Sequence, residues 1–158
     1  MARHSQYDVI IAGSGISGAV TAWHVCDGNR RVLLIDRRPP VTGSTPASTA
    51  MIQYEIDTPL HKLANMIGQK QARKAWQRSA KAVSRLGQIV RDENIACGFT
   101  EKPALYLAGD KFGFRALQTE QASREAAGLL SRFIPAQELR DTYGMDRTGA
   151  LLSEPSAS

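Results

Sequence analysis

The sequence predicts an α/β fold that opens on a strand, a helix and a second, parallel strand. Three observations predict it. An apolar run, Val9-Ile10-Ile11-Ala12, is followed at once by Gly13, Gly15 and Gly18; Ile16, Ala19, Val20 and Trp23 then recur at helical spacing; and a second apolar run, Val32-Leu33-Leu34-Ile35, closes on Asp36.

The first element, Tyr7 to Ala12, is a run of β-formers and small residues, the composition expected of a strand buried on both faces. The turn that follows reads GxGxxG and, with Ala22, GxGxxGxxxA. Each glycine has a separate physical role in such a turn. Gly13 lets the chain bend sharply, Gly15 lets phosphate oxygens approach bare backbone, and Gly18 lets helix and strand pack closely. The helix that follows points unpaired N–H groups and the positive end of its dipole at the same place, so an anion is held there without a lysine. Gly28 is expected to end this helix, and Arg31 to Ile35 enters the second strand. Asp36 lies 23 positions after Gly13, close to the separation of about 20 at which a carboxylate meets the ribose hydroxyls of a bound dinucleotide. Such an acid suits the unphosphorylated ribose of NAD and of FAD alike and repels the extra phosphate of NADP.

Past the second strand, Arg37-Arg38-Pro39-Pro40 leads into Gly43-Ser44-Thr45-Pro46-Ala47-Ser48-Thr49-Ala50-Met51, dense in small hydroxyl residues. Backbone and hydroxyl donors in such a stretch can wrap a polar ligand with little bulk between. Over Tyr7 to about Asp57 the sequence resembles the FAD-dependent oxidoreductases of the D-amino-acid oxidase, glycine oxidase and sarcosine oxidase family. Those proteins pair the same glycine motif with an acid at the second strand's end and a GS-rich loop after it. The resemblance implies FAD as cofactor. It implies that Gly13, Ser14, Gly15, Ile16, Ser17 and Gly18 hold the pyrophosphate and Asp36 the adenosine ribose, with Arg37 beside the adenosine. Gly43, Ser44, Thr45, Ser48, Thr49, Ala50 and Met51 would line the passage to the flavin ring. It further implies oxidation of a small amine or amino acid, with hydride passing to the flavin, an imine hydrolysed by water, and reoxidation by dioxygen or another electron acceptor. The family's substrate-gripping groups come from later sequence, so no catalytic residue is assigned.

The resemblance also sets expectations for architecture. They are a Rossmann-like FAD-binding βαβ unit with additional helices at residues 1–95, then the start of an antiparallel-sheet substrate domain at 96–158. After Ile35 no further strongly apolar strand with a matching helix continues the doubly wound pattern, so the expected protein is the N-terminal part of a longer oxidase or the product of a truncated reading frame, inactive alone. An NAD-dependent dehydrogenase shares the glycines and Asp36 but has no use for the hydroxyl-rich loop. A non-catalytic subunit that keeps only the dinucleotide fold is the other class left open.

Thr58-Pro59 reads as a helix start, with Leu60, Leu63, Ala64 and Ile67 as its apolar stripe and Gly68 as its stop. From about Gln69 to Glu93, Ala72, Ala75, Trp76, Ser79, Val83, Leu86, Ile89 and Val90 keep helical spacing, with Lys70, Lys74, Arg78, Lys81 and Arg85 largely opposite. That basic side reads as a solvated face. Strands are expected at Ala104 to Ala108, Ala150 to Leu152 and, more weakly patterned, Ile95 to Phe99; helices at Phe112 to Ala127 and Gln137 to Tyr143. Tyr106 is read as a packing residue of its strand.

The 158 residues are 42 % hydrophobic and carry a net charge of +5, which suits a soluble globular domain. The charge is modest and lacks interleaved aromatic residues, which disfavours nucleic acid as a partner. Cys26 and Cys97 form no CxxC pair, and the histidines match no metal-site spacing, so no metal is expected. The polar first eight residues hold no targeting signal and no apolar run approaches a membrane span; a cytoplasmic protein is expected, with oligomerisation left open.

Overall fold

A computed structural model of the chain describes residues 6–109 and 112–158. The residues before Gln6, part of the stretch read above as free of targeting signals, lie outside it. Packing divides the chain after Thr49 into two compact units. That division lies earlier than the expected boundary at 95, because the helices that follow the hydroxyl-rich loop pack with the later helices and strands.

In the first unit β1, Val9–Ala12, lies parallel to β2, Val32–Ile35, in the register Val9 to Val32 through Ala12 to Ile35, with α1, Ile16–Val25, as the crossover. Both ends of the pair are tied. At the start, the Asp8 carboxylate accepts the Arg31 backbone N–H at 2.7 Å and meets its Nε at 3.5 Å. At the far end, Gly13 N–H donates to Ile35 O at 2.7 Å, so the glycine turn begins where β2 finishes. The expectation of a strand buried on both faces is corrected: Ile11 is buried, whereas Ile10 is 61 % exposed. Among the described residues this sheet has two strands, and α1 packs on both of them. One helix shields one face of a sheet and leaves the alternate side chains of the other uncovered. Helix α1 also ends at Val25, before Gly28, whose positive φ serves the turn beyond. A short 3₁₀ helix, Thr45–Ala47, closes the loop after β2.

The second unit runs through β3, Ile52–Gln53; α2, Leu60–Ile67; α3, Gln69–Asp92; β4, Ala104–Leu107; α4, Phe114–Ala126; β5, Ser131–Pro135; α5, Ala136–Tyr143; β6, Gly149–Ser153; and β7, Ser156–Ala157. An antiparallel sheet of order β4-β6-β5 is joined by a small β3-β7 pair. This is the antiparallel sheet that the resemblance implied. Helices α2 and α3 turn at Gly68, and the α3 stripe buries Ala72, Trp76, Val83 and Ile89, while Ala75 is exposed. Tyr54, Leu60, Ala127 and Leu129 share one core with Ala72, Trp76 and Val83.

Three local readings are corrected. Ile95 to Phe99 forms no strand; instead Phe99 packs on α3, where a Cβ on Gly87 would come 3.0 Å from its ring, so the bare glycine makes room for the aromatic. Helix α4 starts at Phe114 after Gly113, leaving Phe112 in the core beside Leu117 and Leu151. Finally β5, absent from the sequence reading, pairs along its whole length with β6.

The buried face of α4 is partly charged. Leu117, Glu120 and Arg124 all point inward. Glu120 accepts the backbone N–H groups of Leu60 at 2.9 Å and His61 at 3.0 Å, the His61 Nδ1–H at 2.8 Å and the Arg124 Nε–H at 2.9 Å. It therefore caps α2 from another helix, since Pro59 offers no side-chain cap. Arg124 Nη1 donates to Ser153 Oγ at 2.8 Å and to Glu55 Oε1 at 3.3 Å, and its guanidinium lies 4.8 Å from the Trp76 ring. Burial pushes the Glu120 carboxyl up, yet the His61 and Leu60 donors and Arg124 together hold it below its ordinary value.

Candidate dinucleotide site

The site lies where β1 ends, and backbone geometry builds it first. Gly13 sits at φ +108°, a conformation that L side chains rarely adopt, and this bends the chain away from the strand. A Cβ on Gly18 would fall 1.8 Å from Gly13 O. No side chain fits there, so helix and turn touch through main chain alone. Gly15 differs from both. Its backbone is extended, at φ −71° and ψ −177°, and an added Cβ would meet only the Thr45 hydroxyl, at 3.2 Å.

Donors converge on this turn. The first α-helical bond to Gly15 O comes from Ala19, so the N–H groups of Ile16, Ser17 and Gly18 precede the intrahelical ladder. Ile16 N–H donates to Thr45 Oγ1 at 3.2 Å, and Ser14 N–H donates to Asp36 Oδ2 at 2.7 Å. The two side chains that answer the helix N-terminus thus come from the loop and from the strand-end acid.

Asp36 points into the turn. Its Oδ2 also accepts the Ser14 hydroxyl at 3.0 Å, and its Oδ1 accepts the Arg38 N–H at 2.9 Å. The Ser14 N–H, then the Arg38 N–H and the Ser14 hydroxyl hold the carboxyl well down, at about 2, so it is ionised at neutral pH. An ionised carboxylate offers about four acceptor positions. Three are used among the described residues, which leaves one, on Oδ1, for an incoming hydroxyl.

A cleft of about 100 Å³ opens between these groups, bounded by Ser14, Gly15, Asp36, Arg38 and the loop from Val41 to Thr45. Ligand clefts usually hold about 300–1,000 Å³, so this one matches a sugar-phosphate segment rather than a whole dinucleotide. The residues present fit that segment: bare backbone at Gly15, N–H groups at a helix start, and a hydroxyl acceptor on Asp36.

The structure brings Ser14, Gly15, Asp36, Gly43, Ser44 and Thr45 together on this cleft and sets Gly13, Ile16, Ser17 and Gly18 in the adjoining turn. Arg37 is exposed and does not border the cleft; Arg38 does. The sequence carried a signal for Arg38, because a residue two positions after a loop aspartate regularly donates to its side chain. Ser48 follows the 3₁₀ turn, and its N–H bonds Thr45 O. Thr49 is exposed and ends the first unit; Ala50 and Met51 begin the second, exposed as well, with Ala50 at a positive φ of 58°. Val41, at the cleft, has φ 63° and is 62 % exposed. Among the described residues no group of three or more His, Cys, Asp and Glu could hold a metal ion, and no helix is long and apolar enough to cross a membrane.

The family model described as DAO, FAD dependent oxidoreductase, matches residues 8–157. A curated protein of Bacillus subtilis (strain 168), named as a Rieske 2Fe-2S iron-sulfur protein, is 25% identical over 125 residues, covering 79% of this chain and 25% of that one. The solved L-amino acid deaminase of Proteus vulgaris superposes with a TM-score of 0.74 at 16% identity, covering 100% of this chain and 40% of that one. Glycine oxidase of Geobacillus kaustophilus gives a TM-score of 0.63 at 19% identity, covering 96% of this chain and 40% of that one. At these identities the two structures show likeness of fold. The chain spans a quarter of the curated relative's length and two fifths of each solved structure.

Proposed function

Because the chain belongs to the DAO family of FAD-dependent oxidoreductases, with FAD as its cofactor, we propose that it serves the oxidation of a small amine or amino acid. The observation that carries the reading is the ionised Asp36 held at the three-glycine turn with one acceptor position to spare. The names of two fold neighbours, a glycine oxidase and an L-amino acid deaminase, support the substrate class. When bound, FAD supplies the two-electron acceptor for a C–H bond beside nitrogen.

This chain's own residues bind and orient. Gly15 opens the backbone to phosphate, and the N–H groups at the start of α1 face the charge there. Asp36 takes a ribose hydroxyl, and its ionisation is secured by Ser14 and Arg38 before any ligand arrives. Thr45 already meets an N–H of the phosphate-binding turn, which makes it a hydroxyl positioned to exchange that bond for one to the cofactor. Ser44 and Gly43 extend the wall, and Ser48, Thr49, Ala50 and Met51 continue along the chain toward the flavin. In this reading Arg38, which borders the cleft, stands beside the adenosine, next to the Arg37 that the resemblance implied there. Residues 96–158 begin the substrate-binding part. Dioxygen or another carrier as electron acceptor and a cytoplasmic setting belong to the same proposal.

Titration with FAD and with NAD tests the cofactor half. FAD fluorescence should quench and the melting temperature rise with FAD, while NAD leaves both unchanged. The reaction half is tested on the product of the complete gene. Flavin absorbance should bleach under anaerobic conditions on adding a small amine or amino acid. A panel of amines and amino acids that leaves the flavin oxidised overturns the reaction assigned here.

A further inference from the structure

Helix α3 holds more positive charge than the whole chain shows. It carries seven bases, Lys70, Arg73, Lys74, Arg78, Lys81, Arg85 and Arg91, against one acid, Asp92. Outside α3, 13 bases stand against 14 acids, so the chain's net charge of +5 sits on this one helix. Lys70, Lys74, Arg78, Lys81 and Arg85 recur at intervals of four, four, three and four, which draws them into a stripe about 22 Å long. The buried Ala72, Trp76, Val83 and Gly87 lie opposite. Arg91 pairs with Glu101 at 2.9 Å. Lys70, Arg73, Lys74, Arg78 and Lys81 are exposed and have no ion-pair partner among the described residues.

A merely solvated helix is built otherwise. Like charges four residues apart repel, and Lys70 with Lys74, Lys74 with Arg78, and Lys81 with Arg85 are such pairs. No acid stands in the first turn, where Lys70 meets the positive end of the helix dipole. Gln71 and Gln88 stand three residues from Lys74 and Arg85, at exposed positions where glutamate would neutralise them. An outside anion relieves the repulsion that the chain leaves standing.

The chemistry of that anion can be narrowed. Single-stranded nucleic acid calls for stacking aromatics, and the exposed members of α3 are charged residues, glutamines, alanines and Ser84. A protein partner calls for an apolar centre, where lysine is depleted, and the same residues supply none. A lipid surface needs neither. It is a diffuse array of anions to which each nearby Lys or Arg adds attraction. At the N-terminal end of the stripe the chain also offers carbon: Met66 and Ile67, 72% and 47% exposed, stand within four residues of Lys70 at the α2–α3 corner. Apolar side chains beside a basic face enter the headgroup boundary.

We propose that the basic face of α3 docks on the surface of an anionic lipid bilayer, with Met66 and Ile67 as its apolar foothold. The chain lies on the bilayer; no helix among the described residues is long and apolar enough to cross it. The proposal stands on the second unit alone and is independent of the reaction proposed above.

The test sediments the full chain with vesicles of phosphatidylcholine and phosphatidylglycerol in equal parts, and with vesicles of phosphatidylcholine alone. At about 50 mM NaCl the anionic vesicles should bind at least about tenfold more tightly, and the preference should shrink at about 200 mM. Each base near the surface is worth about fivefold in affinity, so Lys70→Gln, Lys74→Gln and Lys81→Gln together should weaken binding roughly 100-fold. Because those lysines have no partner, the variant should fold and melt no lower than the parent. Arg132→Gln, Arg140→Gln and Arg147→Gln together remove the same net charge from exposed positions elsewhere and should weaken binding far less. Met66→Ser should weaken it roughly fivefold without changing its dependence on salt. Equal binding to both vesicles, or a lysine variant no weaker than the arginine control, overturns the proposal. A chain that ignores the anionic vesicles yet binds polyglutamate or duplex DNA through the same lysines overturns it in favour of a macromolecular partner.

Discussion

Gly15→Ala separates cofactor binding from folding. The three glycines of the turn fail for different reasons when a methyl is added. At Gly18 the new carbon collides with Gly13 O at 1.8 Å, and at Gly13 the φ of +108° is unsuited to any L side chain, so both variants damage the fold itself. Gly15 has extended backbone, and its only close neighbour would be the movable Thr45 hydroxyl at 3.2 Å. Exchange of Gly for Ala at a helix N-cap costs about 1 kcal/mol, small beside the 5–15 kcal/mol of a typical domain. The methyl nevertheless stands where phosphate oxygens approach main chain. Loss of one charge-assisted hydrogen bond is worth about 1.5–3 kcal/mol, and each 1.4 kcal/mol is tenfold in affinity. The expected outcome is an FAD dissociation constant raised roughly 10- to 150-fold at nearly unchanged melting temperature. Fluorescence titration with FAD and thermal unfolding on the same samples measure both quantities. FAD binding within about twofold of the parent chain, at unchanged stability, would refute the bare-backbone argument.

The buried ion cluster makes its own predictions. Glu120→Ala strips the acceptor from two backbone N–H groups and from Arg124, and should cost about 3–5 kcal/mol in urea unfolding, as breaking a buried pair does. Glu120→Gln, which keeps one acceptor oxygen, should cost less. Because the folded-state value of Glu120 is depressed, its contribution is complete above the ordinary carboxyl value of 4.5 and is lost as pH falls through the lower folded value; stability that stays flat on acidification below 4.5 in this unit contradicts the assignment. Val41→Gly relieves a β-branched residue at φ 63° that buries little, and should raise stability by about 1 kcal/mol in thermal unfolding. A variant no more stable than the parent would show that the loop carries no strain there.

The opening unit was legible because its pattern is local. Gly13, Gly15, Gly18 and Asp36 fall at spacings set by one strand, one turn and one helix, and the structure joins them at the predicted place. Helix α3 was legible for a similar reason, since Ala72, Trp76 and Val83 keep 3.6-residue spacing along one face of a 24-residue helix. Helix α4 shows the limit. Its inward face is Leu117, Glu120 and Arg124, and apolar periodicity cannot reveal a face whose buried groups are charges that neutralise one another. Strand β5 escaped because Ser131, Arg132 and Pro135 are poor strand formers, held there by pairing with β6. Thr58 looked like the cap of α2, but the cap is Glu120, a partner 60 residues away along the chain from Leu60. Only tertiary structure supplies it.

That distant cap makes helix α2 conditional. Eight residues form too short a helix to persist alone in water, and the anion that quiets its first amides arrives only when the α4 segment has closed a long loop. Order in α2 therefore reports assembly of the whole unit rather than local propensity. In hydrogen exchange, the Leu60 and His61 amides should open together with α4, as one cooperative block.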